Sequence, residues 1–355
     1  MADRSKIEWT DATWNPLRGC SRMSEGCRYC YAEGMAARFS GEGQPFEGLT
    51  SDGKWNGSIK LVEDKLLLPL RWRRPRRVFV TSVSDPFHPA VTDAMLDKLF
   101  VVMALAPQHK FQLLTKRPER MREYTNHSCG RIADAIIRFR RERGDSDMMV
   151  VPIPHIRPGM PWWPLPNMWL GTSVENQQAA DERIPHLLAT PAAVRFLSCE
   201  PLLGPVDMAW ALSRNRLDIA AGFHRRGHFS PGLETLRPLD WVIVGGESGP
   251  KARTMHPDWA RSMRDQCAAA GVPFLFKQWG EWGDFTNAQH PHGIKGNPAV
   301  RILDGNGNAK GGGQLHNGYD WQGHGRAEMI RVGKKAAGRL LDGQEYNAFP
   351  EERHG

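Results

Sequence analysis

Six short apolar runs punctuate the chain, at residues 78–83 (VFVTSV), 111–115 (FQLLT), 168–172 (MWLGT), 194–198 (VRFLS), 241–244 (WVIV) and 272–276 (VPFLF). Their apolar positions are continuous rather than alternating, which is the pattern of strands covered on both faces. A further strand is expected near residues 6–10, ahead of the first cysteine. Helical patterns lie between the runs. After Thr92, a residue suited to an N-cap, Met95, Leu96, Leu99, Val102 and Met103 share one face. After Pro257, suited to a first helical turn, Trp259, Met263, Cys267 and Ala270 recur at helical spacing, and Gly271 suits the stop. Strand alternating with helix predicts parallel strands joined by right-handed crossovers. The expected fold class is therefore α/β, a full or partial (β/α) barrel, with an open doubly wound sheet as the alternative.

Three segments break this rhythm. Residues 122–166 begin as a basic helical stretch and continue as IPHIRPGMPWWPLP, too rich in proline for a helix or a central strand. Residues 214–238 form a second insert. Residues 287–325, rich in Gly, Asn and His, are expected to be a loop or irregular lobe. The organisation read from this is a barrel over residues 1–285, with inserts near 122–166 and 214–238, and an irregular C-terminal extension over 286–355. No run approaches 18 apolar residues, and the opening MADRSKIEWTD lacks the apolar stretch of a secretion signal. The expectation is a cytoplasmic protein with no membrane partner.

Six cysteines are present, and three of them, Cys20, Cys27 and Cys30, fall within eleven residues. The spacing is C-x6-C-x2-C, flanked by Gly19 and Gly26, in a polar segment unsuited to a core. Three thiolates can hold three irons of a four-iron cube and leave the fourth open to a substrate or cofactor. A structural zinc is the alternative, because C-x2-C is also a zinc knuckle. No histidine precedes His88, so a zinc site would need a ligand distant in sequence. Cys129, Cys199 and Cys267 read as structural residues, Cys267 on an apolar helical face.

Charge extends the picture. The formal net charge is +8, a balance that favours a polyanionic partner. The cations are clustered, in Arg71-Trp-Arg-Arg-Pro-Arg-Arg77, in Arg138-Phe-Arg-Arg-Glu-Arg143, and at Lys116, Arg117, Arg120 and Arg122. Arginines grip phosphates, and aromatics such as Trp162 and Trp163 stack on unpaired bases. A solvated surface run is the plainer reading of such charge.

In a parallel barrel, side chains beyond the carboxyl ends of the strands converge on one mouth. Here those positions hold Ser82, Ser84 and Asp85; Lys116 and Arg117; Ser173 and Glu175; Ser198 and Glu200; Gly245, Gly246 and Glu247; and Lys277, Gln278 and Trp279. Lys116, Glu200, Glu247 and Lys277 are the candidates for catalytic work. The competing reading is a structural network in which Glu175, Glu200 and Glu247 pair with Lys116, Arg117 and Lys277.

The cysteine cluster after a first strand, with Cys27-Arg-Tyr29-Cys30, resembles the radical S-adenosylmethionine superfamily. Its six-residue first gap is longer than the superfamily's usual three. The whole chain resembles a family of phage and bacterial three-Cys-motif proteins of unknown function. That likeness rests on Trp14-Asn15-Pro16, the cysteine segment through Ala32, Phe196-Leu-Ser-Cys-Glu-Pro-Leu-Leu-Gly-Pro205, Val244-Gly-Gly-Glu-Ser-Gly-Pro250, Phe276-Lys-Gln-Trp-Gly280 and Lys334-Lys-Ala-Ala-Gly-Arg-Leu-Leu-Asp-Gly343. The resemblance implies a barrel of the radical type, a 4Fe–4S cluster on Cys20, Cys27 and Cys30, and S-adenosyl-L-methionine as cofactor. It implies that Tyr29 packs near the adenine, and that Ser84 and Asp85 stand where the superfamily often binds the cofactor's ammonium. Arg117 or Lys116 would meet the carboxylate. Ser173 and Glu175 would serve the carboxylate and ribose hydroxyls, while Gly245 and Gly246 would allow close approach. An electron donor such as flavodoxin or ferredoxin is implied as a partner. Phage occurrence suggests a nucleic-acid substrate, such as a hypermodified thymidine in DNA, and work in the host cytoplasm. Two other readings stay open: a nonenzymatic zinc-containing nucleic-acid-binding protein, and a radical enzyme acting on a small metabolite or peptide.

Overall fold

The structure is a computed structural model that describes residues 5–142, 163–233, 236–286, 299–309 and 325–350. Its central feature is a parallel sheet of seven strands: β1 (Ala12–Trp14), β2 (Arg77–Val80), β3 (Lys110–Thr115), β4 (Met168–Ser173), β5 (Val194–Cys199), β6 (Trp241–Gly245) and β7 (Phe274–Gln278). The strands lie side by side in the order in which the chain makes them. A doubly wound sheet reverses direction at a switch point, whereas unbroken succession is the order of a βα barrel. β1 and β7 remain the two ends of the order, so the fold is consistent with a partial barrel. Five of the six apolar runs coincide with strands to within a few residues. The sixth, expected at 272–276, forms its strand two residues later.

The first strand lies later than residues 6–10. Thr10 N–H bonds Ile7 O (3.2 Å), which turns the chain there, and Asp11 N–H bonds Arg77 O (2.9 Å) at the entry to the sheet. Trp9 then serves as a core residue, its ring 4.6 Å from that of Phe79.

The main helices are α1 (Tyr31–Arg38), α2 (Asp93–Leu105), α3 (Pro118–His127), α4 (Cys129–Glu142), α5 (Gln177–Leu188), α6 (Arg216–Arg225) and α7 (Pro257–Ala270). The predicted caps are used. Thr92 Oγ1 accepts from Met95 N at the start of α2 (3.3 Å). α7 ends on Gly271 at φ 63°, a left-handed position that glycine adopts without penalty. The basic part of 122–166 is carried by α3 and α4, while most of its proline-rich part lies outside the described residues. The 214–238 insert contains α6. No helix among the described residues is long and apolar enough to cross a membrane.

The chain divides into two compact units. One comprises residues 1–23, 32–172 and 183–196, and the other 24–31, 173–182 and 197–355. The first is built on Trp9, Trp14, Phe100, Phe111 and Tyr124, all buried. Gly171 is required there, because a Cβ would sit 2.5 Å from the ring of Phe196. The second packs Trp259, Met263 and Cys267 of α7 with Trp241 and Phe276, all buried. The outer edge of β7 is covered by the C-terminal segment, with Phe276 N–H bonding Tyr346 O (3.0 Å) and Ala348 N–H bonding Phe274 O (3.3 Å). This pairing satisfies an edge that would otherwise be open to another chain.

The second unit also carries a regular antiparallel sheet of β8 (Trp282–Asp284), β9 (Val300–Asp304) and β10 (Arg326–Arg331), with β10 central. The expectation of irregular structure over 287–325 therefore fails at residues 300–304. There Val300, Ile302 and Ile330 form a small core of their own. The Gly- and Asn-rich neighbours hid a five-residue strand. The rest of that segment, apart from residues 299–309 and 325, lies outside the described residues.

Candidate active site

In the first unit the cysteine segment is anchored from the ends of β2 and β3. Gly19 has φ 96°, and a Cβ there would lie 2.0 Å from Ser58 O, so only glycine fits. Its carbonyl accepts from Ser84 Oγ (2.6 Å), which fixes the chain immediately before Cys20. Asp85 follows. Its buried carboxylate accepts from Thr115 Oγ1 (2.6 Å), Phe87 N (2.9 Å), Lys116 N (3.1 Å) and Arg117 Nη1 (2.8 Å). Arg117 Nη2 in turn donates to Ser21 Oγ (2.9 Å) and Ser21 O (3.2 Å). Asp85 and Arg117 thus form a buried pair that holds the residue after Cys20. Arg22 is also tied down, by an ion pair with Glu33 of α1. The ε-ammonium of Lys116, half-buried beside this network, has no ion pair among the described residues.

His88 belongs to the same group, although nothing in the sequence marked it. Its Nε2 lies 2.8 Å from Ser21 Oγ, while its Nδ1 accepts from Ala90 N (3.1 Å). That second bond places the ring proton on Nε2 in the neutral form, so His88 donates to Ser21 and does not act as its base. Burial, helped by the charge of Arg117, lowers the His88 pKa below its ordinary value and keeps the ring neutral. The histidine distant in sequence that a zinc site would require is thus close to Cys20, but both of its nitrogens are engaged.

In the second unit, Cys27 and Cys30 occupy a tight turn. Cys27 N–H bonds Ser24 O (2.9 Å), Arg28 N–H bonds Glu25 O (3.1 Å) and Cys30 N–H bonds Cys27 O (3.3 Å). The buried Glu175 carboxyl lies against Gly26, where a Cβ would be 3.1–3.3 Å from its atoms. Ser173, at the end of β4, is buried. Glu200 pairs with Lys277 (3.2 Å), both largely shielded from solvent. Gly245 leaves room for that pair, since a Cβ there would lie 2.5 Å from Glu200 Oε1. At Gly246 a Cβ would meet Trp279 O at 1.9 Å. Both glycines are therefore already required by packing.

Glu247 is buried and bound by Arg253, which donates from Nη2 to Oε1 (2.6 Å) and from Nε to Oε2 (2.9 Å). Arg253 also lies over the ring of Tyr29, 5.2 Å from its centre. The structural pairing weighed from sequence is thus present for Glu200 with Lys277, while Glu247 pairs with Arg253 and Arg117 pairs with Asp85, neither of them a pairing weighed there. Arg253 escaped notice because it lies six residues beyond its strand-end motif. At the end of β7, Gln278 donates from Nε2 to Ser248 Oγ (3.1 Å), while its buried Oε1 has no partner.

Most of the described tryptophans with a hydrogen-bonded indole serve the core. Trp14, Trp163, Trp241, Trp259, Trp279 and Trp282 each donate an indole N–H to a backbone carbonyl. The indole N–H of Trp163 reaches Thr125 O (3.1 Å), and Trp162 lies outside the described residues. The arginine run at 71–77 enters β2 at its amino end, because Arg77 is the strand's first residue. It stands a strand's length, about 13 Å for four residues, from the end that carries Ser84 and Asp85. Arg71, Arg73 and Arg74 are exposed there without an ion pair among the described residues. Arg120 and Arg131, by contrast, are spent on Asp93 and Asp97.

A thiolate-bound cluster is compatible with the chemistry of this donor set. Cys20, Cys27 and Cys30 are all outside any disulfide and all half-buried. A side chain on Gly26, next to Cys27, would crowd the Glu175 carboxyl. Among the described residues, no group of three or more His, Cys, Asp or Glu side chains is assembled as a metal site. Cys199 and Cys267 are buried, and burial pushes both thiols up, Cys267 to about 12, so neither is a ready ligand.

A family model described as "Protein of unknown function (DUF5131)" matches residues 4–350. No curated protein matches the chain, and no solved structure does.

Proposed function

Starting from the fact that the chain belongs to the DUF5131 family of unknown function, we propose that it is a radical S-adenosylmethionine enzyme acting on a nucleic-acid base. The observation that carries this reading is the setting of Cys20, Cys27 and Cys30. They are three cysteines outside any disulfide, in one short segment that follows the first strand of a sequentially ordered parallel sheet. A reduced 4Fe–4S cluster bound there would supply the electron that splits the cofactor's carbon–sulfur bond, giving methionine and a 5′-deoxyadenosyl radical.

The chain's own residues have definable tasks. Ser84, Arg117 and Ser21 fix the segment around Cys20. Lys116 is the available cation for the cofactor's carboxylate. Asp85 and Glu247 already accept full sets of donors, so they orient neighbours rather than bind the ammonium. Glu200 and Lys277 form a shielded pair whose proton could be exchanged with a substrate. The nucleic-acid part of the reading rests on the net charge of +8 and on the exposed Arg71, Arg73 and Arg74.

The test is anaerobic reconstitution. Brown protein with about four irons per chain, forming 5′-deoxyadenosine from S-adenosylmethionine and dithionite, is the expected result. Colourless protein holding one zinc, with no nucleoside formed, would overturn the reading.

A further inference from the structure

Both oxygens of Glu247, just beyond the end of β6, face a single partner. Arg253 donates to them from its side chain at 2.6 and 2.9 Å, and its backbone N–H adds a third bond to Oε2 (2.8 Å). The same guanidinium has donors left over. Its Nη2 donates to the backbone carbonyl of Glu25 (3.0 Å), and its Nη1 reaches Glu25 Oε2 (3.3 Å). Its carbon lies 5.2 Å from the centre of the Tyr29 ring. The residues it grips, Glu25 and Tyr29, bracket Cys27 and stand next to Cys30, more than two hundred positions earlier in the chain.

We infer that Arg253 is a positioning residue that locks the turn carrying Cys27 and Cys30, with Glu247 as its buried counter-ion. The identity of what the turn holds rests on the radical reading; the locking does not. Only arginine suits the post. Its planar fork offers five donors in fixed directions, so one side chain can bind a carboxylate at two points, cap a carbonyl and lie on a ring. The Glu25 carbonyl also accepts from Arg28 N–H within the turn, and the bond from Arg253 ties that turn to the loop after β6. Glu247, 5 % exposed at its side chain, keeps the guanidinium from swinging into solvent. Ser24 gives the short helical turn at Glu25–Cys27 no side-chain cap, and Arg253 adds a side-chain bond to that turn from outside.

The test uses the full chain, metal-free and anaerobic, with each cysteine's rate of iodoacetamide alkylation read by mass spectrometry. In Arg253→Met, Cys27 and Cys30 are expected to react about tenfold faster, the factor that corresponds to about 1.4 kcal/mol in an opening equilibrium. Cys20, Cys199 and Cys267 should keep their wild-type rates. Arg253→Lys should behave like Arg253→Met, because an ammonium lacks the fork. Unchanged rates at Cys27 and Cys30 in a folded Arg253→Met protein would overturn the inference, as would full rescue by lysine. If Cys199 and Cys267 become reactive, Arg253→Met has unfolded. Tyr29→Leu then takes its place, since it removes the ring beneath the guanidinium without unpairing Glu247. A rise confined to Cys27 and Cys30 supports the lock, and no rise refutes it. In iron-loaded protein, Arg253→Met should lose iron to a chelator faster and alter the cluster's EPR signal. If wild-type protein takes up no iron, the radical reading fails, while the alkylation result stands or falls independently.

Discussion

Removing the Asp85 carboxylate should be among the most damaging single changes in the first unit. Asp85→Ala strips the acceptor from four donors at once: the Arg117 guanidinium, the Thr115 hydroxyl and the N–H groups of Phe87 and Lys116. The side chains of Arg117 and Asp85 are 11 % and 8 % exposed, so water cannot fully replace the lost acceptor. Breaking a buried pair from one side costs about 3–5 kcal/mol, because the remaining charge stays buried and unpaired. In a domain this size that is a melting-point fall of roughly 10 °C. Arg117→Met is milder. The carboxylate keeps the hydroxyl and two backbone donors, so the loss is about 1–3 kcal/mol. The two residues share one network, so the double variant should be less destabilised than the sum, by about 1–3 kcal/mol. Urea unfolding followed by tryptophan fluorescence gives the three free energies. Additivity within about 0.5 kcal/mol, or an Asp85→Ala cost below about 1 kcal/mol, would refute this account of the site.

Other expectations are as direct. Gly246→Ala should destabilise by about 1–3 kcal/mol, since its Cβ would meet Trp279 O, while Gly130→Ala, in open space on α4, should stabilise by about 0.5–1 kcal/mol; thermal melts that rank the two alike would contradict the packing. Burial lowers the pKa of His256, whose Nδ1 caps α7 by accepting from Asp258 N, below its ordinary 6.5. The unfolded chain therefore takes up that proton first, and stability present above pH 6.5 is lost as pH falls through the lower folded value. His256→Asn keeps a cap without titrating, so its stability should decline less between pH 7 and 5 than wild type, and parallel declines would exclude the cap's role. If the exposed Arg71, Arg73 and Arg74 contact phosphates, changing all three to Gln should reduce the slope of log affinity for duplex DNA against log salt by about 2–3. An unchanged slope in anisotropy titrations would remove that surface from any nucleic-acid interface.

The sequence alone marked the strands, because continuous apolar runs bounded by polar ends are a local signal, while their side-by-side order, which separates a barrel from a doubly wound sheet, was decided by the fold. The sequence also marked Cys20, Cys27 and Cys30, since their spacing needs no knowledge of the fold. The start of β1 and the strand at 300–304 were less legible. The former depends on the carbonyl of Arg77, far along the chain, which accepts from Asp11 N at the entry to the sheet, and the latter on pairing with β10. What strand-end polar residues do was decided only in three dimensions. Asp85, Glu200 and Glu247 look equivalent along the chain, yet each is committed to a different cation, and for Glu247 that cation is Arg253, outside the motif. Likewise Gly245 and Gly246 suggest ligand approach until Glu200 and Trp279 are found filling the space above them. Local pattern reports which residues can form an element or hold a metal. Which charges are already satisfied is a property of long-range contact, and only the folded chain makes those contacts.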